Sequence, residues 1–297
     1  MNTTFYKQIG LKNLVYRGIK LKILKKFFKT INYKTITNNF YQIEKWDPSG
    51  TEVYMTDSFC DWGNEYLFLN SINKRENDTF LDVGCHTGYF PVLFKNYFKK
   101  IIGFEPSTKC VETLKKLDLN NFLFHKNFVG DEEIEVLAGD SEEGYSFYDD
   151  QNVYKKKEFS KIKQITIDNF VDRNRLKKIT AIKIDVDGFD LKVLFGAKKT
   201  IEFNRPSIMI ENYSDELFNF FDNLNYNLIS IISDKKNPYN LILNKFENCD
   251  KNKWVKMMCC IPKEFSKNYN ASIFKGNLIT GINKDKILKT FDIKSFK

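Results

Sequence analysis

Residues 79–105, TFLDVGCHTGYFPVLFKNYFKKIIGFE, constrain this chain more than any other stretch. Phe80 to Val83 is a short apolar run, the length of one buried parallel strand. Gly84 and Gly88 follow, with small or polar residues between them. Glycines directly after a strand let the backbone turn sharply and lie close against another group, because no Cβ intervenes. From Tyr89 to Phe98 apolar residues recur at helical spacing, with Pro91 in the first turn, where a missing N–H costs little. Ile101 to Phe104 is a second apolar run, and Glu105 ends it. The order strand, glycine turn, helix, strand, acid predicts a βαβ unit with a binding crevice at its carboxyl edge, and hence an α/β fold.

The glycine spacing selects among ligands. A dinucleotide site uses G-x-G-x-x-G so that a helix N-terminus can take a pyrophosphate. Here the pattern is D-x-G-x-x-x-G, with Asp82 before the first glycine. An acid there suits a cationic amino-acid group better than a phosphate, and Glu105 is placed to accept hydrogen bonds from ribose hydroxyls. Acid, glycines and acid together point to S-adenosylmethionine, which carries an ammonium, a ribose and no phosphate. A dehydrogenase is disfavoured by the missing third glycine.

A second cluster lies in ITAIKIDVDGFDLKVLFGA. Ala181 to Ile184 reads as a buried strand ending on Asp185, followed by Asp187, Gly188 and Asp190 and a helix from Leu191 to Lys199. Asp190 serves equally well as a helix cap. Asp185 needs more explanation, since an acid ending an apolar strand must be solvated, paired or functional. Asp185 and Asp187 are the candidates for orienting or deprotonating an acceptor hydroxyl. Asp185, with Glu211 and Asn212 after the next strand, also forms an oxygen-rich set able to take Mg²⁺. Between the clusters, Phe122 to His125 reads as a third strand, and the loop after it would face an adenine, with Phe128 and Val129 flanking the base and Asn127 bonding nearby. Residues 138–164 read as a loop-rich insertion near the acceptor, including Lys155-Lys156-Lys157. Asp168 is a candidate N-cap.

The net charge is confined to one end. Residues 1–43 hold nine Lys and Arg and no Asp or Glu, and the whole chain is +9, so the remainder sums to zero. In this arm Leu14, Leu21, Leu24, Phe28 and Ile31 recur at helical steps, predicting an amphipathic helix with a lysine-rich opposite face, interrupted by Gly10 and Gly18. Three readings follow: a helix packed on the main domain, a cationic helix on an anionic membrane surface, or a nucleic-acid arm. Residues 44–63 read as a loop with a short strand from Glu52 to Thr56, in which Cys60 to Gly63 either pack or cover the crevice. Six cysteines without a C-x-x-C pair fit reduced thiols in a cytoplasm rather than a zinc site. No apolar run approaches ~20 residues, and no signal-peptide core opens the chain.

The segments FLDVGCHTG, IIGFEP, HKNFVGD, ITIDNFV and IKIDVDGFDLKVLFGA followed by RPSIMIE resemble the FkbM family of S-adenosylmethionine-dependent methyltransferases, over residues 65 to 245. His86 stands where that family usually has Asn, and Asp187 and Asp190 where Glu is common. The resemblance implies a Rossmann-like class I methyltransferase fold, with a seven-stranded, mostly parallel sheet whose last strand is reversed. It implies methyl transfer to a hydroxyl of a sugar or polyketide. On it the cofactor set is Asp82, Gly84, Cys85, His86, Gly88, Glu105, Pro106, Asn127 and Phe128. His86 is read as part of the cofactor loop rather than as a base. The expected organisation is an arm at 1–43, a methyltransferase domain at 44–247 and a C-terminal extension at 248–297. The expected acceptor is a glycan, met in the cytoplasm or, through the arm, at the inner face of a membrane. An RNA 2′-O-methyltransferase and a non-catalytic nucleoside-binding module are the alternatives.

Overall fold

The structure is a computed structural model that describes residues 3–73, 78–141, 144–147, 159–234, 240–243 and 253–268. It divides into two compact units, one of Met1–Lys45, Ser49–Lys74 and Pro206–Lys297, the other of Trp46–Pro48 and Arg75–Arg205.

The first unit opens with helix α1 (Thr3–Phe27), broken at Gly10, whose φ of 75° and ψ of 161° leave the helical region, while Gly18 stays helical. Leu14 and Leu21 are buried, as the spacing predicts. The helix does not reach Ile31, however. Strands β1 (Thr30–Lys34) and β2 (Phe40–Glu44) form an antiparallel hairpin in which Ile31 pairs with Ile43. The apolar and β-branched residues at 30–37 satisfy a ladder better than a helix end. The hairpin also crosses the expected arm boundary at residue 43. Helix α2 (Pro48–Thr56) replaces the strand expected at Glu52–Thr56; Pro48 opens it where its missing N–H is not needed. Helix α3 (Asn64–Ser71) follows a tight turn. In that turn the Glu65 carboxyl group accepts the N–H groups of Asp61 at 2.7 Å and Gly63 at 2.9 Å, so Cys60 to Gly63 is packed structure.

The second unit begins with β3 (Thr79–Val83), α4 (Tyr89–Phe94), β4 (Lys100–Phe104), α5 (Thr108–Leu114) and β5 (Phe122–His125). Two short strands and two longer ones, β6 (Phe128–Val129), β7 (Glu135–Ser141), β8 (Gly144–Phe147) and β9 (Phe159–Ile165), make a separate four-stranded sheet. The expected loop-rich insertion is therefore strand in its described part, and Lys155 to Lys157 lie outside the described residues. Helix α6 (Ile167–Arg173) is capped by Thr166, not by Asp168. Strand β10 (Ile179–Ile184) leads to α7 (Asp190–Phe195) and α8 (Lys198–Asn204). Asp168 caps α8 instead, accepting from the N–H groups of Lys199 at 3.0 Å and Thr200 at 2.7 Å. Strand β3 lies between β4 and β10, all parallel, with β5 beyond β4. Phe80, Leu81, Ile101, Ile182 and Ile184 are sealed in its core. Burial on both faces explains their continuous apolar runs.

The chain then returns to the first unit with β11 (Ser207–Ile210), α9 (Asp215–Asn223), β12 (Tyr226–Asp234), β13 (Asn240–Leu243), β14 (Lys253–Trp254) and β15 (Met258–Pro262). β12 and β13 pair antiparallel. β15 runs antiparallel to both β11 and β12. It is the reversed strand that the resemblance implies, and it comes from beyond residue 247, where a separate extension was expected. Cys259 and Cys260 are buried in it. Lys256, just before it, pairs with Glu52 at 2.8 Å and donates to the Cys60 carbonyl at 2.8 Å. This segment is part of the first unit's core.

Candidate functional site

The carboxyl edge of β10, β3 and β4 gathers the acids singled out in the sequence. Register pairs Val83 with Ile184 on one side and with Phe104 on the other, so Gly84, Asp185 and Glu105 leave the sheet at one level. The chain proceeds from β3 outward to β4 and β5 and later returns to β3's other side with β10, which makes this edge a topological switch point. Gly84 has a φ of 76°, and a Cβ on it would collide with the Asp185 carbonyl oxygen. The glycine is thus required by backbone against backbone. Gly88, at φ 86°, starts α4, and a Cβ there would strike Leu117.

Beneath the turn lies a group that motif reading passed over. Lys183, in the middle of β10, is buried, and its ammonium sits 3.1 Å from an Asp185 carboxylate oxygen and 3.5 Å from Asp82. It donates to the Gly84 carbonyl at 3.1 Å and lies 5.1 Å from the Phe90 ring centre. One cation thereby ties both acidic motifs to the glycine turn. The signal was a lysine inside an otherwise apolar strand, since a buried charge must have a partner. Asp82 is fully buried and its two oxygens accept no hydrogen bond. Burial raises its pKa to about 6, against the pull of Lys183. The expectation that Asp82 meets a ligand ammonium directly is corrected: the ammonium facing it is that of Lys183.

Glu105 lies at the edge itself. One of its oxygens accepts the His86 N–H at 2.9 Å and the other the Ser107 N–H at 2.9 Å. Burial pushes its pKa up, and His86 and the two N–H groups oppose that push. The glycine turn and the residues after β4 are therefore fixed on one carboxylate. His86 adopts a left-handed φ of 47°. Its Nδ1 is 3.2 Å from the Thr87 hydroxyl, which donates to Asp47 at 3.0 Å. The Trp46 ring stands edge-on to His86 at 6.1 Å, with the Lys109 ammonium 4.3 Å from its centre. Trp46 and Asp47 were not anticipated, because nothing local ties them to a motif forty residues later. Cys85 is buried, and burial pushes its thiol well above the usual range. Pro106, between Glu105 and Ser107, is half-buried.

Asp185 is about one-third exposed on its side chain, and Asp187 is exposed with a φ of 42°. Asp190 is buried and accepts the Val186 N–H at 3.3 Å, which makes it the brace of this loop; burial lifts its pKa to about 6. Of the Mg²⁺ set, Asp185 faces the Lys183 ammonium, while Glu211 and Asn212 follow β11 in the first unit, with Asn212 accepting from the Ser214 hydroxyl at 2.8 Å. A resident ammonium beside Asp185 disfavours a divalent cation on that carboxylate.

The adenine-facing group is corrected. Phe128 is buried in a cluster with Ala138 and Ile162, so it belongs to the core of the small sheet. Val129 is likewise buried, in the strand paired with Ile165. Asn127 donates to the Lys163 carbonyl at 3.0 Å, across the same sheet. An edge with a carboxylate fixed by backbone, a glycine where no Cβ fits and a partly exposed second acid suits a cationic ligand bearing ribose hydroxyls, and S-adenosylmethionine is one.

Among known proteins, the chain is similar over 219 residues, at 29% identity, to a tRNA/tmRNA (uracil-C(5))-methyltransferase of Campylobacter lari; the match takes in 71% of this chain and 56% of that protein. Among solved structures it is similar to the methyltransferase FkbM of Methylobacillus flagellatus, at 14% identity and TM-score 0.39, over 84% of this chain and 60% of that one. It is also similar to M. jannaschii TYW2 crystallised with AdoMet, at 12% identity and TM-score 0.35, over 78% of this chain and 84% of that one. The chain thus spans little more than half the length of the Campylobacter relative. The family model for the methyltransferase FkbM domain matches residues 82–239, which run from the first acid of the glycine turn past the second acidic cluster. This chain belongs to the FkbM methyltransferase domain family.

Proposed function

We propose that this protein transfers the methyl group of S-adenosylmethionine to a hydroxyl of a sugar or glycan. The observation that supports it most is the shared carboxyl edge, where Gly84, Glu105 and Asp185 emerge at one level and Lys183 joins them. Bound there, S-adenosylmethionine would supply a methyl already activated on a cationic sulfur. The chain's own tasks are then to hold the cofactor, to orient an oxygen and to manage its proton. Glu105 would take the ribose hydroxyls, since it is fixed by two N–H donors and keeps further lone pairs. Gly84 to Gly88 would line the cofactor, and Asp187, exposed on its loop, would accept the acceptor hydroxyl's proton, with Asp185 as its neighbour.

The Campylobacter relative's name raises base methylation as a second reading. Carbon 5 of a uracil is a poor nucleophile until a thiolate adds to its neighbouring carbon. The five described cysteines are all buried, and burial raises the thiols of Cys60, Cys85, Cys259 and Cys260 well above the usual range. Among the described cysteines none suits that chemistry, which favours an oxygen acceptor.

Calorimetric titration with S-adenosylhomocysteine tests the cofactor, and transfer of labelled methyl to glycan extracts or to RNA tests the acceptor. Saturable binding with label on glycan supports the proposal. A folded sample that binds no S-adenosylhomocysteine, or label on RNA alone, refutes it.

A further inference from the structure

Helix α1 has two apolar faces, and among the described residues only one is buried. Leu14 and Leu21 are buried against the first unit. At about 100° per residue, the side pointing away from them carries Tyr16, Ile19, Ile23 and Phe27. These are exposed, Ile19 by 57%, Ile23 by 53% and Phe27 by 72%. The sequence suggested a lysine-rich face there. In the structure Lys20, Lys22 and Lys26 are exposed beside this apolar crest, and Lys12 lies exposed on its line. Lys20 leans over the Tyr16 ring at 5.8 Å and Lys26 over the Phe27 ring at 5.9 Å. Beside the crest, a recess of about 540 Å³ between α1 and the β1–β2 hairpin is walled in part by Arg17, Lys20 and Lys34.

We propose that α1 docks this protein on an anionic lipid bilayer, lying along the surface with Ile19, Ile23 and Phe27 in the acyl boundary and the flanking lysines among the headgroups. The charge supports it: residues 1–43 hold nine basic and no acidic residues. An apolar ridge bordered by lysines is the surface that such a boundary accepts, since the lysine stems reach past the ridge to the phosphates. Among the described residues no helix is long and apolar enough to cross a membrane, so α1 would lie on the bilayer and not span it. A second copy fits less well. Exposed residues at 11, 15, 19, 23 and 27 drift around the helix and do not hold a 3.5-residue seam, and pairing would bring lysine rows together. Nucleic acid would reward the lysines but leave the aliphatic crest in water. Docking through α1 does not depend on the methyl-transfer reading.

The test is flotation of the full chain with vesicles of phosphatidylcholine alone or with about one third phosphatidylglycerol. Its variants are Ile19→Asp/Ile23→Asp and Lys20→Glu/Lys22→Glu, each checked by circular dichroism and light scattering. We expect binding to the anionic vesicles at least about tenfold above the neutral ones. The aspartate pair should lose about tenfold or more of that binding with its fold unchanged, and the glutamate pair should weaken it and reduce its salt dependence. The proposal is overturned if wild type ignores anionic vesicles or if Ile19→Asp/Ile23→Asp binds them as wild type does. It is also overturned if light scattering shows a dimer that this variant dissolves while vesicle binding stays absent.

Discussion

Replacing Lys183 by methionine keeps the length of the side chain and removes the ammonium that faces Asp82, Asp185 and the Gly84 carbonyl. Asp185 can turn to water, but Asp82 is fully buried with no hydrogen bond to its oxygens. Its pKa of about 6 in the folded protein, against an ordinary value of 3.8, fixes the sign. A folded pKa above the unfolded one means that the carboxyl favours the folded state at low pH. That contribution is lost as pH rises from about 4 to about 6, by about 3 kcal/mol. Without Lys183 the folded pKa climbs further, so the loss continues above pH 6. At pH 8 the variant should be less stable than wild type by about 3–5 kcal/mol, the usual effect of stripping one partner from a buried pair. At pH 5 Asp82 is mostly protonated in wild type as well, and the cost should shrink to about 1–2 kcal/mol, from the lost bond to Gly84 and altered packing. Urea unfolding at the two pH values measures both, and adding Asp82→Asn to the variant should restore most of the loss at pH 8. Equal destabilisation at pH 5 and pH 8, or no rescue by Asp82→Asn, would refute the view that Lys183 is held there as the counter-ion of Asp82.

Four further outcomes are expected. Asp187→Ala should lower turnover about 10²-fold or more and leave affinity for S-adenosylhomocysteine within about twofold; unchanged turnover removes Asp187 from the chemistry. Glu105→Gln retains the shape but loses the charge that holds the N–H groups of His86 and Ser107, so titration should show affinity for S-adenosylhomocysteine reduced about tenfold or more. In wild type, affinity should fall as pH drops through the raised Glu105 pKa, because the neutral carboxyl accepts less strongly. Phe128→Ala should cost about 3–5 kcal/mol in urea unfolding of the small sheet and leave that affinity unchanged; a large loss of affinity with intact stability would return Phe128 to the ligand.

Local structure was legible in the residues themselves. The run Thr79–Val83, the glycine turn, the helix from Tyr89 and the strand Lys100–Phe104 formed where the residues indicated, because buried parallel strands need continuous apolar runs and a tight turn needs a glycine. Glu105 and Asp185 reached one edge for the same reason, since each ends such a run. Tertiary structure decided the rest. Phe128 became core because strands from Glu135 to Ile165 fold over it. Met258–Pro262 became a strand because β11 and β12 offered two open ladders, a partnership no local pattern announces. Asp82 lost its expected role because Lys183, about a hundred residues away along the chain, brought the compensating charge. Short-range patterns fix which segments can be strand or turn; which charge meets which, and which face of a helix is left open, depends on the neighbours that folding supplies.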